Sequence, residues 1–377
     1  MPNKPSIMFI AGEPSGDRHA SAVIRKLKNI CPNADTWGVG GPLMAEAGFT
    51  QVMPFEPFNR MGYLEVISGL PFFLNAKKTL TNMMKTLRRP NVLVCVDYSG
   101  FNMPMMKAAR KLGIPVVWYI APMVWAWKRK RAKTLGEQAS HIAVIFPFEA
   151  QYFSPYPAPV TFVGNPLTES LPPIDASMQK KGLPSSSNQT FNLSIIPGSR
   201  PQEIKNMLGV MADAALMLRE KYPHIKITVS RFGKSNDDLF NLAAERGIDI
   251  FTGPLSELLK NSDLAFITSG TATLEAALLG VPMVVAYRTS PLSYAIYKKF
   301  VKIKHIGLPN IVAGGEIVPE CIQNDVNPQN LFEKSDKFVS SPPYYEATVK
   351  NLSALRMQLG EKKASEEVAN IIYSCLG

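Results

Sequence analysis

The sequence has few cysteines and no long uncharged apolar run. Its four cysteines, Cys31, Cys95, Cys321 and Cys375, are scattered among 377 residues without a Cys-x-x-Cys pair, so neither a disulfide framework nor a zinc site is indicated. No uncharged apolar stretch reaches the roughly 18 residues that a membrane span needs. The apolar opening Ser6–Ala11 is too short for a signal-peptide core. We therefore expect a cytoplasmic protein that is neither exported nor membrane-spanning.

Acidic residues are in short supply relative to basic ones. The chain has 30 Asp and Glu against 41 Lys and Arg, a formal net charge of +11, which attracts nucleic acid, anionic lipid or phosphorylated substrates. The positive charge gathers beside apolar residues at 85–89, 128–131 and 298–304, which favours a membrane surface. Residues 294–306 resemble an amphipathic helix that lies on anionic headgroups, although a core helix with a solvated basic face has the same pattern. We expect anionic membrane lipids, and no nucleic acid, as partners.

The length of the chain suits two domains of about 150 to 200 residues each. Strand-like apolar runs alternate with helical patterns from the first residues onward, which predicts an α/β fold. Between them, a stretch rich in proline, serine, lysine and asparagine indicates a linker. We predict an N-terminal α/β domain at 1–168, a linker at 169–190, a C-terminal α/β domain at 191–340, and C-terminal helices at 341–377 that pack on the N-terminal domain or on a partner subunit.

The stretch Ser269–Pro282, which reads SGTATLEAALLGVP, combines a small turn with a helix start. It follows an apolar run, and Leu274 and Leu278 then share one helical face. Backbone N–H groups at the helix N-terminus, together with Gly270, suit a phosphate, and Glu275 one turn further on suits a ribose diol. The stretch therefore predicts a nucleotide site, with a well-capped helix as the alternative.

A second small turn, Pro197–Arg200, follows the apolar run Phe191–Ile196 and precedes another helical pattern. Arg200 can bind a phosphate through two parallel hydrogen bonds, although a surface arginine near a helix start would look the same. Two candidate phosphate turns in one half of the chain favour the functional interpretation.

Asp97 stands directly after the buried-looking run Asn91–Val96. In open parallel sheets, ligands bind at the carboxyl ends of the strands. Asp97 is therefore a candidate general base that takes a proton from an attacking hydroxyl, or it caps the helix that follows. None of the four histidines has a strong motif around it. Asp97 is thus the first choice of base, and Glu13 the second.

Short segments spread in order along nearly the whole chain resemble the lipid-A-disaccharide synthase family. The matching segments are Ala11-Gly12-Glu13 with Ser15-Gly16-Asp17, Met61-Gly62 with Glu65-Val66, Asp97 with Phe101-Asn102, Val124-Trp125-Ala126-Trp127, Phe146-Pro147-Phe148-Glu149, Pro197-Gly198-Ser199-Arg200, Ser269–Glu275, Leu308-Pro309-Asn310-Ile311 and Val318-Pro319-Glu320. With the two predicted α/β domains, the resemblance implies the GT-B glycosyltransferase architecture, in which two Rossmann-like domains with parallel sheets face a cleft.

The resemblance also implies a reaction. It is the transfer of 2,3-diacylglucosamine from its UDP derivative to 2,3-diacylglucosamine 1-phosphate, with inversion, by an enzyme that is peripheral on the inner face of the cytoplasmic membrane and is a possible homodimer. No cofactor is expected, and no metal, because the sequence has no Asp-x-Asp segment. Asp97 and Arg200 are the predicted catalytic residues. The predicted nucleotide-binding residues are Gly198, Ser199, Arg200, Ser269, Gly270, Thr271, Thr273 and Glu275, and the predicted acceptor- or lipid-binding residues are Gly12, Glu13, Ser15, Gly16, Asp17, Met61, Gly62, Asn102, Trp125, Trp127 and Asn310.

The chain departs from the family pattern at five positions near the expected chemistry, Gly100, Trp118, Ala121, Met123 and Asn165. These departures leave the preferred acceptor and acyl-chain length open. Two functions of other kinds also stay open. One is a sugar-nucleotide epimerase or a transferase with a soluble acceptor, and the other is a noncatalytic sugar or nucleotide binding protein. Turnover of a UDP-sugar separates an enzyme from a binder.

Overall fold

The computed structural model describes residues 4–59, 65–126, 129–172, 190–233, 236–290, 294 and 304–376. For residue 59 and for 65–69 it describes the backbone alone. The chain divides into two compact units, of which the first contains Met1–Glu169 and Glu361–Gly377 and the second contains Ser170–Gly360. Each unit is an α/β layer structure around one parallel sheet, which confirms the predicted fold class.

The first unit contains a seven-stranded parallel sheet. Its strands are β1 (Ser6–Ala11), β2 (Asp35–Val39), β3 (Thr50–Gln51), β4 (Val92–Val96), β5 (Val116–Tyr119), β6 (His141–Val144) and β7 (Val160–Phe162). They lie in the order β3-β2-β1-β4-β5-β6-β7. Every side chain of β4 is buried, as expected for a central parallel strand with helices on both faces. The strand order reverses between β1 and β4, where ligands bind in sheets of this kind.

Helices cover both faces of this sheet. They are α1 (Pro14–Ile30), α2 (Pro42–Glu46), α3 (Glu56–Asn59), α4 (Glu65–Asn82), α5 (Ser99–Lys111), α6 (Lys130–Gln138), α7 (Pro166–Ser170) and the last helix, Ala364–Ser374, with a π-helical turn at Met83–Leu87 and a 3-10 helix at Pro147–Tyr152. In α1, Val23, Ile24 and Leu27 repeat at helical spacing and are fully buried. They pack in one cluster with Val368 and Ile372 of the last helix, so the end of the chain belongs to the first unit.

The second unit repeats this plan with six parallel strands. They are β8 (Phe191–Ile196), β9 (Ile225–Ser230), β10 (Asp249–Phe251), β11 (Leu264–Thr268), β12 (Met283–Tyr287) and β13 (Glu320–Ile322), in the order β10-β9-β8-β11-β12-β13. The helices are α8 (Pro201–Lys221), α9 (Asp237–Glu245), α10 (Leu255–Lys260), α11 (Thr271–Leu278), α12 (Leu308–Ala313), α13 (Pro328–Ser340) and α14 (Pro342–Leu359), with a 3-10 turn at Gln323–Asp325. The sheet again reverses its order between β8 and β11.

Several segments named in the sequence analysis lie wholly or mostly outside the described residues. They are the predicted linker at 169–190, of which 173–189 are not described, the predicted amphipathic segment at 294–306, and Met61, Gly62 and Trp127. In the remaining chain, no helix combines the length and the apolar character that crossing a membrane requires.

Candidate active site

The turn between β11 and α11 has the predicted strand-turn-helix form. β11 ends at Thr268, α11 begins at Thr271, and Gly270 gives the helix no side-chain cap. A Cβ added at Gly270 would meet no atom within 4 Å, so the approach to the helix N-terminus is open at this point. Backbone N–H groups at such a terminus attract anions. The turn is therefore a candidate phosphate site.

The hydroxyl groups around this turn are engaged inside the protein. The Ser269 Oγ donates to the Ile306 carbonyl at 2.7 Å, and the Thr273 Oγ1 donates to the Gly270 carbonyl at 2.7 Å. Both bonds brace the turn, so we expect backbone N–H groups, more than these hydroxyls, to contact an anion. Glu275 lies one turn into α11 and is partly buried.

The second candidate phosphate turn, between β8 and α8, contains a carboxylate, that of Glu203, for which the sequence predicted no role. Glu203 Oε2 accepts hydrogen bonds from the backbone N–H groups of Ser199 and Arg200, both at 3.3 Å, and its Oε1 lies 3.2 Å from Arg200 Nη1. Gly198 has a φ of +115°, and a Cβ there would lie 2.6 Å from Glu203 Oε2. Glu203 therefore binds the backbone N–H groups that were predicted to face a phosphate, and the exposed Arg200 is ion-paired to it. Glu203 three residues after Arg200, the residue before α8, was the available signal, because this spacing is that of a capping box.

The two turns lie at the same edge of the second sheet. β8 and β11 are hydrogen-bonded neighbours in parallel register, with Ile196 opposite Ile267, so the residues that follow them emerge side by side. The structure thus brings Gly198–Arg200 and Ser269–Glu275 together, as a single nucleotide site requires. Within the described residues, no three His, Cys, Asp or Glu side chains are grouped as metal ligands.

In the first unit, the backbone is strained where β4 ends. Asp97 and Tyr98 both have positive φ, at 45° and 48°, a left-handed conformation that costs residues other than glycine roughly 1 kcal/mol or more each. The strain is held by hydrogen bonds from Asp97 N to the Tyr119 carbonyl, at 2.9 Å, and from the Tyr98 hydroxyl to the Phe58 carbonyl, at 2.8 Å. Gly12 is required nearby, because a Cβ there would lie 2.5 Å from the Tyr98 ring.

The strained segment carries a carboxyl with altered acidity. Burial, and secondly the negative charge of Glu13, raise the pKa of Asp97 to about 6. Glu13 itself follows β1 and stands directly before α1, so it reaches the same sheet edge as Asp97. A carboxylate with a raised pKa is a stronger base that is still ionised at neutral pH.

A third carboxyl, Glu149, lies beyond the end of β6. Only 2% of its surface is exposed, and its Oε1 accepts a hydrogen bond from the Trp125 indole N–H at 3.2 Å. Its Oε2 accepts the backbone N–H groups of Ile145 at 3.1 Å and Phe146 at 3.0 Å. Burial raises the pKa of Glu149 to about 7, although these hydrogen bonds act to lower it. The negative charge of Asp97 raises it by a smaller amount. The sequence analysis matched this residue to a family motif but gave it no role.

Three predicted acceptor-binding residues are committed to the fold. Asp17 is buried, and its carboxylate accepts the N–H groups of Gly41, Leu43 and Met44 at 2.9, 3.1 and 3.0 Å, which caps α2. The fully buried Asn102 amide nitrogen donates to the carbonyls of residues 10, 96 and 97. The fully buried Asn310 lies in the second unit, where its amide binds the backbone of 317–318 and the Glu320 carboxylate. Asp17 and Asn310 form these hydrogen bonds at both of their polar atoms, whereas Asn102 Oδ1 has no hydrogen-bond partner among the described residues. A substrate contact stays a prediction for all three.

The other acceptor-side residues have mixed settings. Ser15 is exposed at the start of α1. Gly16 is buried, and a Cβ added there would lie 3.4 Å from the Ala11 Cβ. Trp118 and Asn165, two departures from the family pattern, are buried and bond the carbonyls of Ile120 and Ile145. The remaining departures lie near Asp97 in the sequence or just after β5. Gly100 is three residues after Asp97, Ala121 and Met123 follow β5, and Met123 is exposed.

Sequence comparison shows one family over almost the whole chain. Residues 7–372 match the family model described as lipid-A-disaccharide synthetase. A lipid-A-disaccharide synthase of Geobacter sulfurreducens is 35% identical over 377 residues, which cover 98% of this chain and 97% of that protein. The corresponding protein of Anaeromyxobacter dehalogenans is 36% identical over 374 residues, with 98% and 97% covered.

Solved structures with the same fold include glycosyltransferases and epimerases of the GT-B kind. A putative UDP-N-acetylglucosamine 2-epimerase from Listeria monocytogenes has a TM-score of 0.66 at 12% identity, with 98% of this chain and 96% of that chain covered. MurG of Acinetobacter baumannii has a TM-score of 0.61 at 16% identity, with 98% and 99% covered. A UDP-GlcNAc 2-epimerase from Neisseria meningitidis has a TM-score of 0.63 at 14% identity, with 98% and 99% covered. At these identities, the likeness shows the fold alone.

Proposed function

The chain belongs to the lipid-A-disaccharide synthase family, and we propose that it moves 2,3-diacylglucosamine from UDP-2,3-diacylglucosamine to 2,3-diacylglucosamine 1-phosphate. The products are UDP and a β-1,6-linked disaccharide 1-phosphate. Family and fold support the general activity, which is glycosyl transfer in lipid A synthesis. The identity of the donor and of the acceptor is the proposal.

We propose that the donor's diphosphate binds the second unit between the β8–α8 and β11–α11 turns. The open N-terminus of α11 at Gly270 and the Arg200 guanidinium supply positive charge. Arg200 must then leave its ion pair with Glu203 and bind the diphosphate. The Glu275 carboxylate accepts hydrogen bonds from the ribose hydroxyls. The Neisseria meningitidis epimerase with this fold is described as bound to UDP-GlcNAc, which supports a nucleotide in this class of fold.

On the acceptor side, Asp97 is the proposed general base. It removes the proton from the acceptor's 6-hydroxyl as that oxygen attacks the donor's anomeric carbon and the bond to UDP breaks. An α-linked donor and a β-linked product require inversion, hence one displacement and no covalent intermediate. The observation that carries this assignment is the strained, partly buried Asp97 at the end of β4, where burial and Glu13 raise its pKa to about 6.

The test compares Asp97→Ala with Arg200→Ala. Loss of a general base typically costs roughly 100- to 10,000-fold in rate, so Asp97→Ala should reduce the single-turnover rate on that scale and leave UDP affinity nearly unchanged. Arg200→Ala should weaken both. An Asp97→Ala enzyme within threefold of the parent rate would move the base assignment to Glu13.

A peripheral membrane location is part of the proposal, because both substrates carry acyl chains. Leu70 and Leu74 on α4, and Leu87 after it, are exposed, and Lys78 and Lys85 on the same segment are exposed as well. Exposed leucines beside lysines suit an anionic bilayer surface. We infer that this segment, residues 70–87, contacts the inner face of the cytoplasmic membrane.

An epimerase is the second candidate, because epimerases are among the solved structures with this fold. An epimerase acts on the UDP-sugar without any acceptor, so dependence of turnover on the acceptor separates the two functions.

A further inference from the structure

The chain between β5 and α6 begins beside the end of β4. Tyr119, the last residue of β5, accepts the N–H of Asp97 at its carbonyl, at 2.9 Å. Arg131, near the start of α6, donates from Nη1 to Ser99 Oγ at 2.8 Å, two residues after Asp97. Residues 127–128 lie outside the described part of the chain. The described stretch 120–126 therefore starts next to Asp97.

Trp125, in segment 120–126, is held by Glu149. Its indole N–H donates to the Glu149 carboxylate at 3.2 Å, and Glu149 lies beyond the end of β6, the strand next to β5 in the sheet. The indole also packs edge-on against Phe148, with ring centroids 5.5 Å apart, and only 5% of Trp125 is exposed. Trp125 therefore holds the segment in place and is not a free binding surface.

The Glu149 carboxylate is held in one orientation by backbone hydrogen bonds. Its other oxygen is bound by two backbone N–H groups, those of Ile145 and Phe146, so the carboxylate cannot turn without leaving buried donors unpaired. Its charge also lies within electrostatic range of Asp97, which acts on the pKa of Glu149. Because both Glu149 oxygens bind protein donors and only 2% of the residue is exposed, we assign its effect on the reaction to its neighbours.

We propose that Glu149 is a positioning residue for the transfer, which fixes segment 120–126 beside Asp97 through the hydrogen bond that it accepts from Trp125. The proposal rests on the proposed function, since it assigns Asp97 as the base. The segment forms the acceptor-side wall around that base. Loosening it misplaces the acceptor hydroxyl relative to Asp97 and leaves the nucleotide turns of the second unit untouched.

Two substitutions disturb the Trp125–Glu149 contact from opposite sides. Glu149→Gln keeps the volume, but its amide has a single oxygen and so cannot accept from Trp125 and from the two backbone N–H groups together. Trp125→Phe keeps an aromatic ring and deletes the indole N–H. Each should lower the acceptor-dependent single-turnover rate by about 10- to 100-fold, the scale of a small misplacement of reacting groups, with UDP affinity within twofold of the parent.

The double variant distinguishes positioning from general damage. If both changes act through one hydrogen bond, Glu149→Gln with Trp125→Phe should be no slower than the slower single variant. Independent structural damage would multiply the two losses instead. Glu137→Gln is the matched control, because this carboxylate of the same unit lies in an exposed pair with Lys133, and it should keep the parent rate.

The outcomes distinguish failure of the positioning role from failure of the proposed function. Single variants within twofold of the parent rate, multiplying losses in the double variant, or an equal loss of UDP affinity would each overturn the positioning role while the parent's activity stands. If Glu149→Gln does not fold, Trp125→Phe alone applies the same criterion of rate against UDP affinity. A parent enzyme without acceptor-dependent UDP release overturns the proposed function, and this inference with it.

Discussion

At the scale of single residues, the buried polar side chains differ in how fully the protein satisfies them. Asn310 uses both ends of its amide within the fold, whereas burial and a like charge disfavour the ionised form of Asp97. A group of the first kind stabilises the folded structure, because its removal leaves buried donors and acceptors without hydrogen-bond partners. A group of the second kind is costly to the fold and is typical of functional sites.

The raised pKa of Asp97 predicts a pH dependence. A base must be ionised, so the rate at saturating substrates should rise with pH through a midpoint near 6 and level off above it. An ordinary aspartate would give a midpoint near 4. The acceptor's phosphate also titrates at about pH 6, so the midpoint needs an internal control.

Glu13→Gln supplies that control. Removing the negative charge of Glu13 should lower the pKa of Asp97 and shift the midpoint to lower pH, whereas the phosphate would keep its own midpoint. A profile that does not move assigns the titration to the acceptor. Complete loss of activity in Glu13→Gln would favour Glu13 as the base.

Asn310 tests the opposite kind of residue. Asn310→Ala should destabilise the second unit by about 1 to 3 kcal/mol or more, because it leaves buried backbone groups without partners. We expect a lower urea midpoint for that unit. Asn261→Ala, at an exposed site with one bond to the Glu257 carbonyl, should leave the midpoint nearly unchanged. An unaltered midpoint in Asn310→Ala with weaker acceptor binding would restore the predicted acceptor contact.

Some residue-scale features could be predicted from sequence and others could not. Asp97 follows an apolar run, so its position at the end of a strand could be predicted from the sequence. The bond between Trp125 and Glu149 joins residues 24 positions apart and depends on the order of β5 and β6 in the sheet. No local pattern encodes that order. Asp17 was predicted to bind the acceptor from the family resemblance, and only its contacts with 41–44 reveal a capping role.

At the scale of elements, the helix α11 offers a direct test of the nucleotide turn. Gly270 has extended backbone that any residue adopts, with φ of 164°, and its Cβ position is empty. Gly270→Ala should therefore fold normally but place a methyl group where the diphosphate approaches. We expect UDP affinity to fall roughly tenfold, equivalent to about 1.4 kcal/mol, as measured by calorimetry.

The control for that substitution is Gly209→Ala. Gly209 lies inside α8, also with empty space around its Cβ position, and alanine there should stabilise the helix by about 0.5 to 1 kcal/mol without changing UDP affinity. If Gly270→Ala binds UDP as the parent does, α11 is an ordinary helix and the donor site lies elsewhere.

Sequence patterns found the elements that carry strong apolar runs. The predicted strands around Asn91–Val96 and Leu264–Ile267 coincide with β4 and β11, whose side chains are all buried. β3 and β13, which span two and three residues at sheet edges, were not among the predicted strands. Each depends on a neighbouring strand for its hydrogen-bonding partners.

At the scale of the whole molecule, the net charge of +11 and the exposed leucines of segment 70–87 predict salt-sensitive attachment to anionic vesicles. Each lysine near such a surface contributes about 1 kcal/mol at low salt, so raised salt should release the protein. Leu70→Glu with Leu74→Glu should weaken binding, and Leu242→Glu, at an exposed leucine of the second unit, should not. Equal binding by all variants would contradict this membrane surface.

The chain path is also a whole-molecule feature that local patterns leave open. The last helix could pack on the N-terminal domain or on another subunit as far as its sequence shows. In the structure, Ser365 binds Glu169, 196 residues earlier, and Val368 joins the core of the first unit. Contacts at that separation depend on the completed fold.

The central claim is that this chain transfers diacylglucosamine from UDP to a lipid acceptor in one displacement. The most direct measurement follows UDP release from UDP-2,3-diacylglucosamine, with and without 2,3-diacylglucosamine 1-phosphate, and determines the anomeric configuration of the product by NMR. The account predicts UDP release only with the acceptor, one disaccharide per UDP, and a β linkage. UDP release at the same rate without acceptor, an epimerised UDP-sugar, or an α-linked product would contradict it.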